Sequence, residues 1–355
     1  MYDFNISAVI NFIKSNKLKR VLFQFANGLK HYSNKVIYEL SKEVKDVELI
    51  ISGASCYGAC DVAFDEAVVL GVDGIVHYGH TAFPEAYTYA RQLGLSICFI
   101  EAFSTIGFEE VMEKLLNTLQ CADNIRNIGV TTSVQHAHIL PTLCKALEEG
   151  GYRVFIGKGS DRVKYPGQVL GCDYTAAITI ADNVDIFVHF GGGIFHALGL
   201  ALTVQKPVLL CDPFRCEVRD LTKEARKVKA ARLYYVTKAL NEARNYGIII
   251  GCKWRQRHIF SAKRVKEMLE SKGYKTMLIS SFEITPDTLE NYPELDAFVI
   301  TACPRIPIDD YKRYHRPILT VLEALIIAGC LKLEEWTLCD WTCNEKALSN
   351  AIIKG

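Results

Sequence analysis

Three segments of the chain are built to one plan, and this repetition constrains the fold more than any bulk property. Val72 to His80 (VDGIVHYGH), Val184 to Gly193 (VDIFVHFGGG) and Leu295 to Pro304 (LDAFVITACP) each place an apolar residue and an aspartate before a short β-rich run that breaks into a loop. A helix-like segment and a further apolar run follow each one, so that Leu95, Pro207 and Pro317 lie 22, 22 and 21 residues beyond Asp73, Asp185 and Asp296. Upstream, a strand, a helix and a second strand recur as RVLFQF with VELIISG, NIGVTTS with YRVFIG, and YGIIIGC with YKTMLIS. The intervening helices, such as PTLCKALEEGG and AKRVKEMLESKG, end in glycine, as helix C-termini tend to. Near-continuous apolar strands alternating with helices indicate parallel sheets covered on both faces. The expectation is an α/β chain of three similar Rossmann-like domains, residues 1–122, 123–245 and 246–355, each a small parallel sheet flanked by helices, in a pseudo-threefold arrangement. Open parallel sheets bind ligands at the carboxyl ends of their strands, so three sets of loops would face a common centre.

Cysteine placement on those loops is selective. The stretch GASCYGACD puts Cys56 and Cys60 one helical turn apart, but only Cys60 has a twin. Cys60 precedes Asp73 by 13 residues and Cys172 precedes Asp185 by 13, each directly followed by Asp, while Gln168 stands where a partner of Cys56 would be. The third repeat has Glu283 at the matching place and Cys303 instead, at the end of its third strand and followed by Pro304. Each predicted domain thus offers one loop cysteine. Three thiolates from three domains suit a metal centre that keeps one position open, and thiolates select zinc, copper(I) or iron-sulfur clusters; three packed or reactive thiols are the competing reading. Thirteen cysteines, an odd number, argue against a fully paired disulfide framework and for a reducing, cytoplasmic compartment.

Charge excludes some partners. Forty-one basic against forty acidic residues leave no sequence-independent attraction to nucleic acid or to an anionic membrane. The N-terminal stretch reads as an amphipathic helix with Ile6, Val9, Ile10, Phe12 and Ile13 on its apolar side, and Ile318 to Leu331, the longest apolar run, is too short for a bilayer and contains Glu323.

The motifs YGACD, GQVLGCDY with FVHFGGGIFHALGL, and TACPRI resemble the archaeal diphthamide biosynthesis enzymes, the 2-(3-amino-3-carboxypropyl)histidine synthases, over nearly the whole chain. One departure is Ala26-Asn27, where that family has Pro-Glu before the glycine at Gly28. The resemblance implies a homodimer in which Cys60, Cys172 and Cys303 hold a 4Fe-4S cluster whose fourth iron binds S-adenosylmethionine. It further implies reductive cleavage of the bond from sulfur to the methionine γ-carbon. The 3-amino-3-carboxypropyl group would then pass to the imidazole C2 of a histidine in translation elongation factor 2, with electrons from a reductant or electron-transfer protein. The C-x-x-x-C-x-x-C loop of the usual radical enzymes is absent, because Ala63 stands where its third cysteine would fall. Two other readings are a Lewis-acid enzyme similar to quinolinate synthase, which also gathers one cysteine from each of three α/β repeats, and a cluster-bearing redox subunit without catalysis.

Further candidates lie on the same loops. Gly191, Gly192 and Gly193 open a helix, where backbone N–H groups favour an anion such as the cofactor's carboxylate; close packing of small residues is the alternative. His80 and His196 are candidate cofactor contacts, with His77 and His189 beside them. Lys253, Arg255 and Arg257 could take a carboxylate or dock an acidic patch of a protein partner. Cys339 and Cys343 read as a helix face or an accessory thiol pair, and Cys98, Cys211, Cys216 and Cys252 as packing residues.

Overall fold

The computed structural model describes residues 2–122 and 124–338. It divides into two compact units, one made of residues 1–170, 175–197 and 206–220, the other of residues 171–174, 198–205 and 221–355. Cys339 and Cys343 lie outside the described residues.

In the first unit, β1 (Tyr2–Asp3) precedes the predicted amphipathic helix Ile6–Ser15, which buries Val9 and Ile13. The first sheet then forms from β2 (Arg20–Phe25), β3 (Glu48–Ile51), β4 (Gly74–Tyr78) and β5 (Ser96–Ile100), and β6 (Phe103–Ser104) pairs back onto β1. The second sheet contains β7 (Asn127–Thr132), β8 (Arg153–Phe155), β9 (Ile186–Phe190), β10 (Val208–Asp212) and β11 (Glu217–Asp220). The second unit holds the third sheet: β12 (Asn245–Gly251), β13 (Lys275–Ser281), β14 (Ala297–Ile300) and β15 (Ile318–Leu319).

The sheet orders are β3-β2-β4-β5, β8-β7-β9-β10-β11 and β13-β12-β14-β15. Taken as first to fourth strand, each runs second-first-third-fourth, with every pairing parallel apart from the added edge strand β11. That edge strand is absent from the sequence-based expectation, because EVRD carries none of the apolar alternation that marks a strand.

The repeated aspartate explains why the plan recurs. Asp73 accepts hydrogen bonds from the backbone N–H groups of Lys19 (2.7 Å) and Arg20 (2.8 Å), at the start of β2. Asp185 does the same for Arg126 (3.0 Å) and Asn127 (2.8 Å), and Asp296 for Arg244 and Asn245 (both 2.8 Å). Each carboxylate therefore ties the turn before the third strand to the entry of the first. The backbone N–H groups of Arg126 and Asn127 hold the Asp185 carboxyl below its ordinary pKa.

Cross-strand pairs show the same plan filled with different side chains. Leu22 of β2 faces Ile75 of β4, whereas Gly129 faces Phe187 and Gly247 faces Phe298 at the matching register. A Cβ on Gly129 would lie 2.5 Å from the Phe187 ring, and one on Gly247 2.6 Å from the Phe298 ring. Two medium residues, or one ring over one glycine, fill the same layer at the density interiors require. Each sheet has its own core, around Phe23, Phe25 and Tyr78, around Val130, Leu143 and Phe190, and around Ile249, Phe298 and Ile300.

Candidate functional site

Cys60 sits in the short 3-10 turn Ala59–Asp61 that follows β3, and its side chain is half-buried. The turn is gripped from beneath by Gln24 of β2, a buried side chain. Its Nε2 donates to the Asp61 carbonyl (2.7 Å) and its Oε1 accepts from Ala63 N–H (3.1 Å). Asn27 holds the other end of the loop: its Oδ1 accepts from Cys56 N–H and its N–H donates to the Cys56 carbonyl, both at 3.0 Å. The Ala26-Asn27 departure thus falls on a residue that anchors the cysteine loop.

Cys56 is itself buried, and its sulfur lies within 4.8 Å of ring nitrogens of His77 and His80. The two imidazoles bond each other, His77 Nε2 to His80 Nδ1, at 2.9 Å, and His77 Nδ1 reaches Gln24 Oε1 at 2.8 Å. Their mutual bond accounts for the cluster without an ion. Burial drives the His77 pKa well below its ordinary value, with His80 adding to the effect, and burial lowers His80 to about 4.

In the second loop, Gln168, the counterpart of Cys56, is buried and engaged at both ends of its amide. Its Oε1 accepts from Lys164 N–H (3.0 Å) and Tyr165 N–H (3.1 Å), and its Nε2 donates to Thr81 Oγ1 (3.1 Å).

Cys172 and Cys303 both belong to the second unit, and there the structure brings them together. Arg305, two residues beyond Cys303 and almost wholly buried, forks onto Asp309 (2.8 and 2.9 Å) and donates from Nη1 to Tyr174 Oη (2.8 Å), with the Gly171 carbonyl at 3.5 Å. Gly171 and Tyr174 flank Cys172, so one guanidinium ties the two cysteine loops together. Gly199 leaves room for this contact: a Cβ there would lie 1.8 Å from Tyr174 Oη and 2.3 Å from Arg305 Nη1. Burial, and then the neighbouring Cys172, push the Cys303 thiol up to about 12, with the Arg305 backbone N–H and guanidinium pulling the other way. A half-buried thiol with its pKa raised in this way gives up its proton to a thiophilic metal rather than to water.

The glycine loop is more occupied than its sequence suggests. Gly193 has a left-handed φ of 72°, and its N–H donates to the Asp212 carboxylate at 2.9 Å. A Cβ on Gly192 would lie 2.7 Å from the Phe214 ring. Packing and local backbone geometry therefore account for these two glycines. His196 stacks on His189 with ring centroids 5.9 Å apart, and His189 Nδ1 meets Thr131 Oγ1 at 3.0 Å. Of the basic trio, Lys253 pairs with Glu283 at 2.9 Å, Arg257 Nε donates to the Cys252 carbonyl at 2.7 Å, and Arg255 lies over the Trp254 ring. Cys211 is buried, as expected for a packing residue, and Cys98, Cys216 and Cys252 are half-buried.

Gln24, Tyr174 and Arg305 escaped the sequence reading, and Asn27 entered it only as a departure from the family pattern. Gln24 sits inside an apolar strand, and a buried polar residue there was the one available signal.

Three repeated parallel sheets flanked by helices, with Cys60, Cys172 and Cys303 beyond their strands, place the chain in the class of α/β proteins built from repeated parallel sheets. A family model described as "Putative diphthamide synthesis protein" matches residues 25–342. The 2-(3-amino-3-carboxypropyl)histidine synthase of Pyrococcus horikoshii is 33% identical over 330 residues, covering 93% of this chain and 91% of the relative. The synthase of Methanocaldococcus jannaschii is 27% identical, covering 89% and 85%. Subunit 1 of the Gibberella zeae synthase is also 27% identical, covering 92% and 69%. The crystal structure of Dph2 from Pyrococcus horikoshii with a 4Fe-4S cluster superposes with a TM-score of 0.83 at 30% identity, covering 96% of this chain and 94% of that one. The chain belongs to the diphthamide synthesis family. No described helix is long and apolar enough to cross a membrane.

Proposed function

We propose that the protein transfers the 3-amino-3-carboxypropyl group of S-adenosylmethionine to the imidazole C2 of a histidine in translation elongation factor 2, as a 2-(3-amino-3-carboxypropyl)histidine synthase. The observation that carries the reading is the pairing of Cys172 with Cys303 through Arg305, in a chain whose relative of known structure holds a 4Fe-4S cluster. Cys60 is the third ligand in this reading. The three domains 1–122, 123–245 and 246–355, arranged about a pseudo-threefold axis, each supply one. The residues fit such a group: none of the three sulfurs is taken up in a disulfide, each lies on a loop, and an all-sulfur donor set is what iron-sulfur clusters take.

When bound, the cluster supplies the electron that breaks the bond between sulfur and the γ-carbon. The chain does the rest. Gln24 and Asn27 hold the Cys60 loop, and Arg305 ties the Cys172 and Cys303 loops to each other, so each loop is fixed locally before iron enters. Gly192 and His196 are the glycine-loop groups offered to the cofactor, since the Gly191 N–H donates to the Cys211 carbonyl and the Gly193 N–H to Asp212. The working form is a cytoplasmic homodimer served by an electron donor.

Iron and sulfide content, an electron paramagnetic resonance spectrum after anaerobic reduction, and methylthioadenosine release test this reading. Alanine at Cys60, Cys172 or Cys303 should abolish the cluster signal and the release, whereas Cys56→Ala should keep the cluster. Retention of the signal in all three ligand variants, or a wild-type enzyme that releases no methylthioadenosine, would defeat the assignment.

A further inference from the structure

Every proton direction in the Gln24–His77–His80 relay is determined. The two backbone bonds of Gln24, to the Asp61 carbonyl and from Ala63 N–H, fix which end of its amide is oxygen. His77 Nδ1, 2.8 Å from that oxygen, therefore carries a hydrogen. Burial keeps His77 neutral, so its Nε2 is a lone pair, and the hydrogen in its 2.9 Å bond to His80 Nδ1 belongs to His80. Neutral His80 is thus held as the Nδ1–H tautomer, with a bare Nε2 that no donor among the described residues occupies. His80 lies two residues beyond β4 and is only half-buried, while Gln24 grips the backbone on the far side of Cys60. The network that orients this lone pair also holds the candidate cluster loop.

We propose that His80 Nε2 is the proton acceptor for substitution at the target imidazole. The proposal rests on the transfer reaction of the proposed function. In that reaction the sulfur to γ-carbon bond breaks, a carbon–carbon bond forms to imidazole C2, and the C2–H bond is given up. The products are a thioether, an alkylated ring and one proton, with no net change in electrons. The proton goes to His80 Nε2. The resulting imidazolium still donates from Nδ1 to His77 Nε2, and the Gln24 amide oxygen is not basic enough to draw charge further. The charge stays on the histidine pair until solvent removes it. His80 is neutral near pH 7, as an acceptor must be, and because loss of the C2 proton restores ring aromaticity a weak base suffices.

The test has two arms. Nitrogen-15 spectra of histidine-labelled protein, recorded without cofactor, should show His80 with a protonated Nδ1 and a pyridine-like Nε2; an Nε2–H tautomer overturns the proposal by itself. In the anaerobically reconstituted enzyme, His80→Gln should lower the ratio of modified protein substrate to methylthioadenosine released, by about 10²-fold or more, the usual effect of losing a general base. An unchanged ratio refutes the role of His80. A wild-type enzyme that cleaves no cofactor refutes the transfer reading instead, leaving the tautomer result to stand or fall alone.

Discussion

Gly199→Ala is the sharpest structural perturbation available near the cysteines. The new Cβ would lie 1.8 Å from Tyr174 Oη, about half of an ordinary contact distance, so the phenol must move by about 1.5 Å. Such a shift breaks the 2.8 Å bond to Arg305. Overpacking a filled interior costs about 1–3 kcal/mol, and a hydrogen bond to a buried charged group is worth about 1.5–3 kcal/mol. The sum, about 2.5–6 kcal/mol, is a large share of the roughly 5–15 kcal/mol that stabilises a typical domain. Urea unfolding of the metal-free protein measures it. Tyr174→Phe removes the atom in closest conflict, so the double variant should be less destabilised than the two single variants added together. Iron bound after reconstitution should fall in Gly199→Ala, because Cys172 and Cys303 are no longer tied through one guanidinium. A Gly199→Ala protein with the wild-type urea midpoint and iron content, or strict additivity in the double variant, would refute the reasoning.

Other outcomes rest on buried charge, buried histidine and strand register. Burial lowers His136 to about 4 from an ordinary value near 6.5, so the folded state excludes a proton that the unfolded chain takes up. Its contribution is complete above pH 6.5 and falls away between pH 6.5 and 4, by about 1.4 kcal/mol per unit; urea midpoints measured across that range should fall, and His136→Gln should flatten the fall. Glu323 receives Arg232 Nε (2.9 Å), Trp336 Nε1 (2.8 Å) and Thr320 N–H (2.8 Å) inside the second unit. Glu323→Gln should cost about 3–5 kcal/mol in denaturant unfolding by leaving the Arg232 guanidinium without a counter-charge, and replacing both partners by apolar residues should cost less. Gly129→Leu should lower the melting temperature sharply, with partial recovery on adding Phe187→Ile, which recreates the Leu22–Ile75 pairing of the first sheet.

The α/β character and the strand plan were legible because they are written in period and spacing: buried parallel strands are apolar runs, and the aspartates recur at fixed intervals. What those aspartates do was not legible, since a carboxylate that staples two backbone N–H groups looks the same in sequence as one that binds a ligand. The loop cysteines could be sorted by position alone, Cys60 against Cys56, because a twin in the second repeat distinguishes them. The residues that hold them could not. Arg305 reads as one more basic residue after Pro304, and its role emerges only where folding brings Tyr174 and Gly171 within reach. The glycine loop is a related case. A run of glycines before a helix advertises free N–H groups, yet Asp212, 19 residues further on, claims one of them.

These cases share a cause that bears on how three similar sheets came to carry different chemistry. The staple, the strand order and the size-matched cross-strand layer all sit at the entry or middle of the strands, and they are satisfied by backbone groups or by volume. Nothing in them specifies the loops beyond the carboxyl ends. In the last two residues of the strands and just beyond them, the first sheet places a glutamine–histidine–histidine relay, the second a threonine–histidine pair and the third a cysteine beside a buried arginine. Loops free of a stapling role can exchange ligands for positioning groups without loss of fold. If that separation is real, Asp73→Ala should weaken folding while leaving the tautomers of His77 and His80 unchanged in the protein that remains folded, whereas Gln24→Ala should disturb those tautomers. An aspartate variant that scrambles the relay in the folded state would show the two ends of the strand to be coupled after all.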